Sequence, residues 1–210
     1  MRNALEPNPD PAWVIEERGY DPLRECCSES RFAVGNGFLG TRGARAVSRG
    51  PMWLSWMHSL HWASWPRTYI AGLFDTPNIE PPVPALVPAG DWLRVHIHLN
   101  GKLLVLRSGQ LLSHSRILDM RRGLLIMDWR QRDPAAGVIR VRTLRLASQA
   151  ERAVGLQLLV LEVEMGQVAV TLEAEVEDAG LGLETVRLEH NLGVWRSEQS
   201  DKGLAMASAA

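Results

Sequence analysis

The sequence predicts an all-β domain, an antiparallel sandwich assembled from hairpins, and three observations carry that expectation. Apolar and polar residues alternate in one short segment after another from about residue 92 onward, the mark of half-buried strands. Turn signals punctuate the runs, among them Gly35-Asn36-Gly37, Asp133-Pro134 and Met165-Gly166-Gln167. Neither βα alternation nor a long helical period appears anywhere between them.

In chain order, the first strand candidates are 13–17, 30–34, 38–42 and 68–74. Two insertions break their rhythm. Residues 44–66 hold PMWLSWMHSLHWASWP, with Trp53, Trp56, Trp62 and Trp65 in one connection, where Trp53, Trp56, Met57 and Leu60 would share a side of a short helix. Residues 75–91 hold five prolines and are expected to run largely without ladder hydrogen bonds. The clearest strand is WLRVHIHL at 92–99, which places Leu93, Val95, Ile97 and Leu99 on one face and Trp92, Arg94, His96 and His98 on the other. Asn100-Gly101 follows at once, a type I′ turn pair with KLLVL as the return strand.

Further strands are expected at 111–118, 124–130, 138–146, 156–164, 168–177 and 185–196. In VIRVRTLRL at 138–146 the arginines move from even positions (Arg140, Arg142) to odd (Arg145), which predicts a bulge near Thr143. VAVTLEAEVE at 168–177 sends Val168, Val170, Leu172, Ala174 and Val176 one way and its acids the other. The 210 residues suit a single domain with a core that needs neither disulfide nor metal.

Lys plus Arg (23) nearly balances Asp plus Glu (24), so no general electrostatic grip on nucleic acid or anionic membrane is expected. Cys26 and Cys27 are adjacent, poorly placed for a relaxed disulfide, and read as reduced thiols. The first thirteen residues lack the pattern of a secretory signal, and no apolar run approaches the roughly 18 residues of a membrane span. A cytoplasmic location is the resulting expectation.

Few residues form a recognisable chemical constellation. His96 and His98 project from one strand face as metal ligands would, but no third ligand has a matching spacing, and solvated polar-face residues is the plainer reading. His58 and His61 are three apart in the tryptophan-rich loop, and Ser55, Ser59 and Ser64 near them lack a nucleophile elbow. The segment ESRFAVGNGFLGTRG at 29–43 is dense in glycine but matches no phosphate loop, so a tight turn with close strand packing explains it as well as a phosphate cradle.

Four stretches in order resemble one family: W-V-I-E at 13–16 followed by Gly19-Tyr20-Asp21, then ESRFAVGNGFLGTRG, then TYIAGLFD at 68–75, then LDMRRGLL at 118–125. The chain is similar to the amino-terminal domain of glycoside hydrolase family 65, the maltose, trehalose and kojibiose phosphorylases and related hydrolases. The resemblance implies an antiparallel β-supersandwich of the galactose-mutarotase-like type. It also implies that the general acid, a glutamate, belongs to a following (α/α)6 barrel, so that residues 1–210 are one non-catalytic domain and inactive alone. Such a domain supports and partly walls the active site for an α-glucosidic disaccharide. No cofactor is implied beyond inorganic phosphate as co-substrate of a phosphorylase. The implied partners are the barrel of the same polypeptide, a disaccharide and a second copy in a homodimer, with neither nucleic acid nor membrane.

Two departures stand out: the tryptophan-rich loop between Gly43 and Pro66, and Arg67 where relatives usually have glycine. The chain also ends earlier than the family's sandwich usually does, so that a final strand or two is expected to be missing, whether the chain is a fragment or a complete gene product. Glu29, Arg42 and Tyr69 in the matched motifs, with Trp62, Trp65 and Arg67 in the variable loop, are the candidates for facing sugar or barrel. For Glu29 and Arg42 a structural ion pair beside the glycine turn is the plainer reading. No catalytic residue and no metal ligand is assigned. Two rivals stand beside this reading: a free-standing carbohydrate-binding module with the loop tryptophans as its platform, and a small metal-dependent enzyme using His96 and His98.

Overall fold

A computed structural model describes residues 4–47, 67–76, 83–134, 136–174, 176 and 182–209. Among them lie fifteen strands and one short α-helix, and every strand pairing is antiparallel. The fold is an all-β sandwich, as the alternation predicts. Its largest sheet runs in the order β1 (Val14–Arg18), β8 (Leu111–Asp119), β9 (Leu124–Asp133), β10 (Gly137–Ala147), β11 (Gly155–Met165). A second sheet joins β12 (Val170–Ala174), β6 (Val95–Leu99) and β7 (Lys102–Leu103). A third joins β2 (Val34–Gly35), β3 (Leu39–Thr41), β4 (Thr68–Asp75) and β5 (Ala85–Ala89), and a fourth β13 (Leu183–Glu189), β14 (Leu192–Ser197) and β15 (Gly203–Ala207).

Among the described residues three apolar clusters fill the layers, the smallest joining Phe32 and Val34 to Leu125 and Met127. Val95, Ile97 and Leu99 of β6 meet Trp129 of β9 and Ile139 and Val141 of β10, so the first and second sheets pack face to face. Leu73 of β4 and Val87 and Ala89 of β5 meet Leu183 and Trp195, closing the third sheet on the fourth. The first pairing is the alternation of 92–99 made physical, and Asn100 and Gly101 both take positive φ as a type I′ turn requires. Among the described residues no helix is long and apolar enough to cross a membrane.

The structure corrects five expectations. Residues 30–34 are not one strand: α1 (Glu25–Arg31) ends there, and β2 starts only at Val34. The helix buries Glu25, Ser28 and Glu29, an i, i+3, i+4 stripe made of polar residues, so a search for apolar periodicity passes over it. The bulge near Thr143 is absent, since β10 keeps one register with β9 from Gly137 to Arg145; a shift against β11 falls instead between Val138 and Ile139. Arg140 and Arg142 face outward, and Arg145 simply points inward with Thr143 and Val141.

The segment 185–196 is a hairpin, β13 and β14. Within the 75–91 insertion, β5 does pair with β4, and Pro88 sits opposite Tyr69 on this edge strand. On β12, Val170 and Leu172 stay exposed although Val168 and Ala174 of the same face reach the first core, because β12 is the edge of its sheet.

Candidate functional site

Chemistry-bearing side chains concentrate where α1 and the irregular segment 42–47 lie against β8 and β10. The segment leaves β3 after Thr41 and runs buried without a continuous ladder, tied at its end by the single bridge from Val47 to Val95. Its carbonyls therefore need donors, since an unpaired buried backbone group costs about as much as a lost hydrogen bond. Buried arginines supply them. Arg145 donates through Nη1 to the Arg42 carbonyl and through Nη2 to the Ala44 carbonyl, both at 2.9 Å. Arg67 reaches the Arg45 carbonyl at 3.5 Å.

Carboxylates compensate these charges. Glu25 accepts from Arg116 (2.9 Å) and from Arg45 (3.2 Å), and all three side chains are buried. Arg116 also meets Glu17 at 3.2 Å, and Arg67 meets Asp91 at 3.3 Å. Gln157 accepts from Arg145 and passes its own amide to the Leu93 carbonyl, linking β11 to the segment before β6. Burial draws the Arg145 guanidinium down to about 9, still cationic at neutral pH; Asp91 and Glu29 resist the shift while Arg67 and Arg116 add to it.

Beside this cluster His114, on β8, donates from Nδ1 to the Gly19 carbonyl at 2.9 Å and packs against the Tyr20 ring. Its Nε2 is buried with no hydrogen-bond partner. Burial, then the Arg116 charge, pushes the imidazole down to about 4, so it is neutral at pH 7. Tyr20 in turn takes a hydrogen bond from Arg45 at 3.0 Å, with that guanidinium 4.6 Å from its ring centre.

Four of the six residues singled out in the sequence lie in or beside this region. Glu29, on α1, stands 3.8 Å from Arg42, which donates to the Cys26 carbonyl at 2.8 Å. Arg67 is buried on Asp91. Tyr69 lies half-buried between Gly40 and Pro88, and burial raises its phenol while the Arg42 charge pulls the other way. Trp62 and Trp65 fall outside the described residues, as do His58, His61 and the three loop serines. The glycines of 29–43 serve geometry: Gly37 takes φ +86° in the β2–β3 turn, and a Cβ on Gly43 would stand 2.7 Å from Phe32.

The sequence reading missed Arg45, Arg116, Arg145, Glu25 and Asp91. Arg145 was signalled by its phase, because an arginine in register with Val141 and Thr143 points into the core. His96 and His98 lie on the outer face of β6 opposite Glu173 and Thr171. No group of three metal-ligating side chains is found among the described residues. An open cleft of about 370 Å³, lined by Glu17, Gly19, Tyr20, Arg24, Ser28 and Arg31 among others, opens at the β1–α1 turn and includes none of the six residues. Chemically, the cluster is a set of guanidiniums committed to backbone carbonyls and carboxylates. Arg67 contacts the Arg45 carbonyl, joining segments 22 residues apart in the chain.

Comparison with known proteins places the whole assembly. A family model described as glycosyl hydrolase family 65, N-terminal domain, matches residues 15–200. A kojibiose phosphorylase of Thermoanaerobacter brockii is 28% identical over 143 residues, 68% of this chain and 16% of that protein. An uncharacterized glycosyl hydrolase of Mycobacterium tuberculosis (strain ATCC 25618 / H37Rv) is 30% identical over 178 residues, 78% of this chain and 20% of that one. A solved structure assigned as a kojibiose phosphorylase from the human microbiome superimposes with a TM-score of 0.71, covering 92% of this chain and 26% of its own, at 16% identity. That last likeness concerns the fold. The chain spans between 10% and 20% of the length of the curated relatives it matches.

Proposed function

The chain belongs to glycosyl hydrolase family 65 as its N-terminal domain, and from that membership we propose that it is the non-catalytic sandwich of a phosphorylase acting on α-glucosidic disaccharides. The observation that carries the reading is the family match over residues 15–200, together with much longer curated relatives, of which the matched segment is only 10% to 20%, among them kojibiose phosphorylases. The catalytic barrel of the same polypeptide supplies the acid and binds inorganic phosphate. This domain supports the barrel and walls one side of the sugar site.

The chemistry of the cluster favours a supporting role. Proton donation to a glycosidic oxygen needs a carboxylic acid free to face the sugar. Glu25 and Glu29 instead face guanidiniums, Glu25 at 2.9 Å from Arg116 and Glu29 at 3.8 Å from Arg42. In this reading Trp62 and Trp65 are sugar contacts, Arg67 stays on Asp91 and the Arg45 carbonyl, and Glu29 and Arg42 set the position of α1.

The test is phosphorolysis. Kojibiose, maltose and trehalose are each incubated with phosphate, and glucose 1-phosphate is measured for the 210-residue chain and for the same sandwich joined to its barrel. Release only from the joined protein is expected. Turnover by the 210 residues alone would overturn the non-catalytic assignment, and tight sugar binding by them alone would favour a free-standing binding module.

A further inference from the structure

The feature left unused by this function is the pair of adjacent cysteines on α1. The helix turns Glu25, Ser28 and Glu29 inward, and Cys26 and Cys27 fall on the other side, Cys27 exposed and Cys26 half-buried. Their sulfurs are 4.0 Å apart. Two thiolates on one tetrahedral ion at about 2.3 Å each stand about 3.8 Å apart, so the pair already has the spacing of a two-sulfur chelate. A disulfide is a different matter. It requires sulfurs about 2.05 Å apart and Cα atoms well beyond the spacing of consecutive residues, which α1 does not permit while it remains a helix.

We propose that Cys26 and Cys27 form a surface dithiol site that captures thiophilic electrophiles taking two sulfurs at once, of which a trivalent arsenical is the defining ligand. With an organoarsenic oxide the reaction balances without any oxidant. Two S–H bonds and the arsenic–oxygen bond break, two As–S bonds form, and the oxygen leaves with both protons as water.

The surroundings sharpen this selectivity. Burial pushes the Cys26 thiol up, and the neighbouring Cys27 adds to it. An arsenoxide accepts the thiol protons as it binds, so the capture needs no preformed thiolate. The Arg42 guanidinium, bonded to the Cys26 carbonyl, draws the other way and holds this turn of the helix in place. Capture across consecutive residues leaves the inner face of α1 and its Glu25 and Glu29 contacts undisturbed.

The experiment treats the reduced protein with one equivalent of phenylarsine oxide and follows intact mass and free thiols. The expected result is one adduct per chain, loss of both of its two thiols to a thiol reagent, an unchanged circular dichroism spectrum, and reversal by a dithiol but not by equal monothiol. Cys27→Ser, a change at an exposed position, should keep its fold and lose the stable adduct. Absence of an adduct, an adduct that a monothiol removes as readily, or its persistence in Cys27→Ser would each overturn the proposal. Cys26→Ser serves as the second variant, with thermal melting as the check on folding.

Discussion

Arg116 and Glu25 form an ion pair at 2.9 Å between β8 and α1, with the arginine side chain wholly buried and the glutamate 4% exposed. The same carboxylate also holds Arg45, so one negative charge serves two guanidiniums from different parts of the chain. Glu25→Gln keeps the shape and removes the charge. Loss of one partner of a buried pair costs about 3–5 kcal/mol, because the remaining charge stays in the interior. Urea unfolding of the variant is expected to show a loss of that order; a loss under about 1 kcal/mol would mean that water reaches the cluster.

Arg145 makes its contribution through hydrogen bonds to the Arg42 and Ala44 carbonyls and to Gln157. Arg145→Met fills similar space and leaves these acceptors buried and unpaired, at about 1–3 kcal/mol for each. Lysine cannot substitute, since its ammonium lacks the planar fork that spans two carbonyls. Both variants should therefore melt well below the parent, and a lysine variant matching the parent would show that charge alone suffices.

His114 gives the protein an acid-sensitive stability. Its pKa is about 4 in the folded chain against about 6.5 unfolded, so below pH 6.5 the unfolded state takes up a proton that the folded state refuses. The contribution is complete above pH 6.5 and lost as pH falls to about 4, for a total of about 3 kcal/mol. Facing the ring are Arg116 and Arg45, which oppose protonation, Glu25, which favours it, and the Tyr20 phenol. Denaturation of the parent and of His114→Gln at pH 7.0 and pH 4.5 is the measurement. The variant should lose less stability between the two, and equal losses would place the sensitivity elsewhere.

Gly193 of β14 lies against the fully buried Trp195 ring, where an added Cβ would stand 1.9 Å from the ring edge. Alanine there displaces the ring from the second core, an overpacking cost of about 1–3 kcal/mol. Gly203 on the neighbouring strand β15 has open space at the same position. Comparison of Gly193→Ala with Gly203→Ala by thermal melting should show a loss in the first alone.

Arg67 offers a prediction for the protein carrying its barrel. Arg67→Ala leaves Asp91 without its 3.3 Å partner and releases the Arg45 carbonyl. Phosphorolysis should show a raised KM for disaccharide with the KM for phosphate unchanged. Equal change in both would place the effect on the barrel as a whole.

What the sequence determined by itself was the placement of the strands whose alternation is regular. Strict alternation in 92–99 fixed β6, its inward residues and its turn, because side chains on a strand must alternate and Asn-Gly accepts positive φ. The strands at 111–118, 124–130 and 156–164 followed from the same rule, and four ordered motifs carried the family. Tertiary structure alone decided the charged interior. Glu25, Arg45, Arg116 and Arg145 read as solvent-facing residues when taken one at a time, since burying a single charge is prohibitive. Together Glu25 and Glu17 offset the charges of Arg45 and Arg116, while Arg145 supplies donors to a stretch of backbone that has no continuous sheet partner. Partners 91 or 101 residues apart, as in Arg116 with Glu25 or Arg145 with Ala44, leave no local pattern. Only the packing of α1 and residues 42–47 onto β8 and β10 brings them together.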